Sequence, residues 1–365
     1  MNPQSVCTPY TVLLLVPTGI GATIGGYAGD ALPVARAIAA TVDCLITHPN
    51  VLNGAHLYWP LPNVLYVEGY GLDQVAAGYW GLRLVPGNRI GLLLDAAIES
   101  DLRLRHLQAA DAARATLGLD LTDYIVTDAP LGVTLCTATS GATWGTIANP
   151  DSLLRAADTL IHQAGATAIA VVARFPDDEG SAALQNYRHG QGVDPLGGAE
   201  AVISHLVVRQ FRLPCAHAPA LRPLPLEPNL APRAAAEELG YTFLPCVLAG
   251  LSRAPQFVTP SQRTPNRVGL AGEIWADQIH AAIVPGNACG SRALMSLSDR
   301  GTRIITVAEN QTTMQVTAAA LGIPAIAVNS YLEAIGVLAC DRAGINPLAL
   351  RPYLDPIEPV SAPLP

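Results

Sequence analysis

Polar and apolar positions along this chain follow one recurring order. A short unbroken apolar run meets a polar or glycine-bearing break, and apolar residues at helical spacing follow. The clearest case runs from Ala281 to Thr313. An apolar run at 281–284 stops at Pro285-Gly286, and Asn287, Ala288, Cys289, Gly290 and Ser291 follow. An amphipathic run then covers 292–299, and a β-branched run at 302–307 ends on Glu309, Asn310, Gln311 and Thr312. This predicts strand, loop, helix, strand, loop: one βαβ unit with its polar residues at strand C-terminal ends. In open α/β sheets that edge is where helix N-termini and loops face a ligand crevice.

The same order recurs along the chain. A strand-like run at 10–16 leads into a loop of five glycines between Pro17 and Asp30. Asp30 is the expected N-cap of a helix at 32–40, with Pro33 in its first turn. Further strands are expected at 43–47, ending on His48-Pro49-Asn50, then at 63–67, 89–94, 124–127 and 167–173. The run at 132–136 reads as an extension of the sheet, and 137–145 as a loop of small residues that includes Ser140. Helices are expected at 99–117, stopped by Gly118, from Asn149 to Gly165, and at 199–210. A helix at 234–239, strands at 241–248 and 325–328, and a helix at 332–342 complete the reading.

The fold class is α/β: two Rossmann-like lobes with mostly parallel sheets around a central crevice. The proline-rich stretch 214–232 divides the sequence into an N-terminal lobe, 1–213, and a C-terminal lobe, 233–351, followed by a proline-rich tail, 352–365.

Composition narrows the chemistry. The 365 residues contain no lysine, so all 21 basic side chains are arginine. That excludes pyridoxal phosphate and imine-forming lysine enzymes, and the phosphate-binding lysine of nucleotide loops. The net charge of -8 argues against nucleic-acid binding. No apolar run is long enough to span a membrane, and no basic segment precedes the run at 11–16 as in a signal peptide. Seven scattered cysteines without a CxxC pair read as reduced thiols in the cytoplasm. With 50% apolar and only 14% charged residues, a homo-oligomer is expected.

Candidate chemistry gathers at the strand ends. His48 and Glu309 are candidate general bases. Cys289, read at a helix N-terminus, is expected to be an acidic thiol, and Cys136 stands at a comparable strand end. Such a pair suits a cofactor-independent racemase or isomerase. Arg174 and Arg292 are expected to bind an anion. Gly21, Asp30, Asn50, Asn53, Asp128, Ser140, Asn287, Gly290, Ser291, Asn310 and Thr312 are the expected substrate contacts.

The spacing Gly19-x-Gly21-x-x-x-Gly25 imitates a dinucleotide fingerprint. The next strand, however, ends on His48 where a ribose-binding carboxylate is required, which argues against NAD(P). No HExxH or GxSxG motif is present, so neither a metal nor a serine nucleophile is expected, and no cofactor is predicted.

Four segments carry a family resemblance: VPTGIGATIGGYAGDALPVA (16–35), LITHPNVLNGA (45–55), VPGNACGSRA and AENQTTMQV. They resemble a cyanobacterial and plastid family catalogued as a domain of unknown function. The resemblance covers nearly the whole chain and implies a cyanobacterial cytosolic protein, without implying a reaction. The expected function is therefore an enzyme acting on a small polar, anionic metabolite: an isomerase, lyase or transferase. The alternatives are the cysteine-pair racemase and a non-catalytic metabolite-binding or assembly protein.

Overall fold

A computed structural model describes residues 9–53, 57, 59–177, 180–238, 244–264 and 272–357. Two parallel sheets carry the fold. The first has six strands in the spatial order Ala325–Val328, Arg303–Val307, Ile279–Pro285, Thr11–Leu14, Cys44–Thr47, Val64–Tyr66. Every neighbouring pair in it is parallel. The second has four, Cys215–Ala220, Ala168–Arg174, Ile90–Leu94 and Leu121–Val126, also all parallel. The α/β class with mostly parallel sheets therefore holds.

Burial explains why the apolar runs become these strands. Thr11–Leu14, Cys44–Thr47 and Ile90–Leu94 are buried at every residue, as strands covered on both faces must be. Fully enclosed side chains such as Leu13, Leu45, Ile46 and Leu93 are worth about 2 kcal/mol each in burial. Helices Ser100–Leu117 and Pro150–Ala164 stop at Gly118 and Gly165, both left-handed at φ 68° and 69°, a conformation that costs glycine nothing.

The strand order corrects the division into lobes. Thr11–Leu14 lies beside Ile279–Pro285, so the six-stranded sheet joins both ends of the chain, while the second sheet is cut from the middle. The expected connector 214–232 begins with Cys215–Ala220, an edge strand of the second sheet.

Three local readings also change. Val133–Thr137 does not extend a parallel sheet but forms an antiparallel hairpin with Thr143–Ile147, turning at Gly141 with φ 87°. Leu244–Leu251 is a helix where a strand was expected, and 241–243 lie outside the described residues. Six of its eight residues are buried, and a short, mostly enclosed apolar run has no period that separates helix from strand. Asp30 does not cap the helix Leu32–Ala39; Ala31 stands at the N-cap without a side-chain bond. A small antiparallel sheet places Gly81–Arg83 between Gln256–Val258 and Glu273–Ile274. Among the described residues, no helix is long and apolar enough to cross a membrane.

Candidate active site

The two sheets face each other across a cleft of about 300 Å³. One wall follows the C-terminal ends of Thr11–Leu14, Cys44–Thr47 and Val64–Tyr66, with Leu15, His48 and Glu68 on it. The other wall is the helix Gly197–Phe211 and the strand Cys215–Ala220, which bring Glu200, Ser204, His205 and His217. A larger and more open depression of about 690 Å³ lies at the opposite edge, around the starts of Ile279–Pro285, Arg303–Val307 and Ala325–Val328. Its Arg303 and Asp341 are already paired with each other.

Two imidazole–carboxylate pairs stand in the cleft. Glu68 ends its strand and caps the helix Gly69–Ala76, where Oε2 accepts the N–H groups of Tyr70 (2.8 Å) and Gly71 (3.2 Å). Its other oxygen, Oε1, touches Nδ1 of His205. Burial pulls the His205 imidazole down, but hydrogen bonding and charge from Glu68, with the charge of Asp73, outweigh it and the net shift is upward. The His205 side chain is 43% exposed against 3% for Glu68, so the carboxylate lies behind the ring.

In the second pair, His217 Nε2 lies 3.6 Å from Glu200 Oε2, and its Nδ1 lies 3.3 Å from Ser204 Oγ. Glu200 and Ser204 are four residues apart and therefore share one face of their helix. Asp73 accepts the N–H of Ala293 at 2.9 Å, and burial raises its carboxyl. Glu237 meets the Tyr187 hydroxyl, and burial pushes its carboxyl up to about 7 against that bond. Among the described residues lining the cleft there is no arginine. No group of three or more His, Cys, Asp or Glu among the described residues is arranged to hold a metal ion.

Of the residues expected from sequence, His48, Asn50, Asn53 and Ser291 do line the cleft. His48 is not placed to be a base. Its Nε2 accepts the Val16 N–H at 3.1 Å, and burial lowers the imidazole to about 4. The ring is then neutral with its proton on Nδ1, available to donate. Asn50 donates to Gly25 O and Asn53 accepts from the Tyr66 hydroxyl, both at 2.8 Å, while Ser291 caps Leu294.

The other expected residues are committed elsewhere. Arg174 is clamped by Glu99 and Asp177, and Arg292 lies 5.7 Å from the centre of the Tyr79 ring, so the expected anion site is not assembled. Asp128 bonds Ser152 and Arg155; Asp30 accepts the Gly25 N–H and pairs with Arg233. Asn287 is stitched to Thr312, and Asn310 accepts from Ile24 N–H while donating to Ile24 O and to the Tyr331 hydroxyl. Glu309 accepts the Tyr331 N–H. Gly21 (φ 60°) and Gly290 leave room for Val193 and Val316, and Ser140 sits exposed in the hairpin turn.

Cys289 is fully buried and burial raises its thiol, and the helix starts later, at Arg292 with Ser291 as its cap. Both run against the expectation of an acidic thiol at a helix N-terminus. Cys136 lies on the hairpin, and neither cysteine lines the cleft.

Sequence reasoning missed Glu68, His205 and His217 as site residues. Glu68 carried a signal, a carboxylate followed by glycine at a strand end. His205 and His217 carried none, since only the helix-to-strand return turns both toward the first sheet.

The chain is 60% identical over 342 residues to a protein of Synechococcus sp. (strain ATCC 27144 / PCC 6301 / SAUG 1402/1) named "Uncharacterized lipoprotein syc1174_c", covering 94% of this chain and 93% of that one. No solved structure matches it. A family model described as "Protein of unknown function (DUF3326)" matches residues 11–351, which span both parallel sheets and the cleft between them. The chain belongs to that family.

Proposed function

We propose that the protein is an enzyme that moves protons on a small polar metabolite held in the cleft, an isomerase or a lyase. The observation that carries this reading is the pairing of two imidazoles with two carboxylates inside one cavity of about 300 Å³. Glu68 holds His205 by Nδ1 and favours the imidazolium, which leaves Nε2 to give or take a proton. His217, between Ser204 and Glu200, serves the opposite step. His48 donates a hydrogen bond from Nδ1. The carboxylates Glu68, Asp73, Glu200 and Glu237, with no arginine among the described lining residues, favour a ligand that is uncharged or cationic at its reacting end.

The test needs no prior substrate. Metabolites that raise the melting temperature are incubated with the protein in D2O, and exchange of a carbon-bound proton is followed by NMR. Exchange by the wild type that disappears in His205→Gln, with ligand binding retained, supports the enzyme. Binding without exchange for every ligand found favours the competing sensor or assembly role.

Homo-oligomerisation is supported by the low charge content and by exposed Leu332, Leu350 and Tyr353 near the end of the described chain. Light scattering at micromolar concentration decides it. A cytoplasmic location is supported by the scattered thiols, and a lipid anchor by the name of the Synechococcus relative. Membrane fractionation separates the two.

A further inference from the structure

Beyond the polar cleft lies a second cavity, of about 460 Å³. Pro219 and Glu237 belong to the lining of both, so the two cavities adjoin at these residues. Their linings differ in kind. Leu102, Leu184, Leu196, Leu221, Leu224 and Leu244 face the second cavity. Most of its charged groups are partnered, Arg188 with Glu238, Arg222 with Asp177, and Glu237 with the Tyr187 hydroxyl, while Arg105 is exposed and Asp194 accepts the Leu196 N–H. An occupant of this chamber therefore meets mainly leucine side chains and groups already bonded within the protein. Protein interiors leave few voids larger than a water molecule, and a cavity of this size falls in the range of ligand sites.

We propose that the ligand is amphipathic: a small uncharged or cationic head lies between the two imidazole–carboxylate pairs, and an apolar chain joined to it passes Pro219 and Glu237 into the leucine chamber. The placement of the head rests on the function proposed above; the chamber adds the substrate class. Glu237 suits the boundary. Burial pushes its carboxyl up to about 7, so near neutrality much of it is uncharged, and an uncharged group costs less beside an apolar chain than a carboxylate does.

Calorimetric titration with n-alkylamines from butylamine to dodecylamine, below their micelle concentrations, tests the proposal. Affinity should rise roughly three- to fourfold per added methylene and then level off once the chamber is full. Leu184→Trp and Leu224→Trp, both at half-buried positions, should bring the plateau to a shorter chain and leave butylamine affinity unchanged. Leu104→Trp, at an exposed position outside the chamber, should behave as wild type.

Affinity that is flat with chain length, or absent for the whole series, overturns the proposal. So does a length dependence that both chamber variants leave untouched, because the chain then binds elsewhere. Failure of the acid–base reading has a different signature: the length dependence and its response to the variants survive, while no ligand undergoes deuterium exchange.

Discussion

The two halves of the six-stranded sheet meet at Thr11–Leu14 and Ile279–Pro285, and their loops look alike in sequence, yet they use their polar side chains in opposite ways. Beyond Ile279–Pro285 and Arg303–Val307, Asn287, Glu309 and Asn310 are bonded to neighbouring loops and to the helix Tyr331–Arg342. They fasten the sheet's edge. Beyond Cys44–Thr47 and Val64–Tyr66, His48 uses one ring nitrogen internally and has the other left over. Glu68 uses one oxygen internally and spends the other on His205, whose own Nε2 is left for the cleft. A position at a strand end brings a residue to the right edge of the sheet. The number of hydrogen-bonding atoms left after local bonding decides whether it can meet a ligand.

The strongest way to break this contrast is to remove a group from each half. His205→Gln, which unpairs Glu68, should cost about 10²–10⁴-fold in deuterium exchange, while Glu309→Gln should leave exchange within about twofold of wild type. The reverse ranking would sink the contrast. The next effect is on stability. Asn310→Ala removes an enclosed amide with three partners and should destabilise the fold by about 3 kcal/mol in urea titration, with ligand affinity unchanged in the folded fraction.

Glu237 gives a pH signature for the cleft side. Its carboxyl is raised from 4.5 to about 7 in the folded chain, so the folded state binds this proton more tightly than the unfolded state. The stabilisation is complete below pH 4.5 and is lost as pH rises through 7. Relative to Glu237→Gln, the wild type should therefore lose about 1–3 kcal/mol across that window, measured by denaturation at several pH values. The smallest effect separates the cysteines. Cys136, half-buried on the hairpin, should react with iodoacetamide in the native state before Cys44, Cys215, Cys246, Cys289 and Cys340, all of them buried. Peptide mapping after partial alkylation reads the order.

Local structure was legible wherever a local rule produced it. The βαβ unit from Ile279 to Val307, the glycine stops at Gly118 and Gly165, and the wholly apolar strands all follow from burial and from φ preferences. Pairing order was not, because no local pattern says that Thr11–Leu14 sits beside a strand near the other end of the chain. The helix Leu244–Leu251 was misread because its short run is apolar on nearly every side, and the hairpin because a strand looks alike in parallel and antiparallel pairing. In the site, Arg174 illustrates the limit. Its cation was visible, but the carboxylates of Glu99 and Asp177 that neutralise it were not visible as its partners.

The sheet that joins both chain ends also imposes an order of assembly. The Thr11 N–H bonds His280 Nδ1 across 269 residues of sequence. At a synthesis rate of 5–20 residues per second, Thr11–Leu14 waits roughly 13–54 s for Ile279–Pro285. Over that interval Thr11–Leu14 is an apolar edge with no neighbour on one side, the kind of edge that pairs with other chains. The second sheet, contiguous from Ile90 to Ala220, is complete long before the first. The cleft is therefore among the last features to form on the ribosome, and a chain that stops before Ile279 has the wall that carries His205 and His217 but only half of the sheet that should face it.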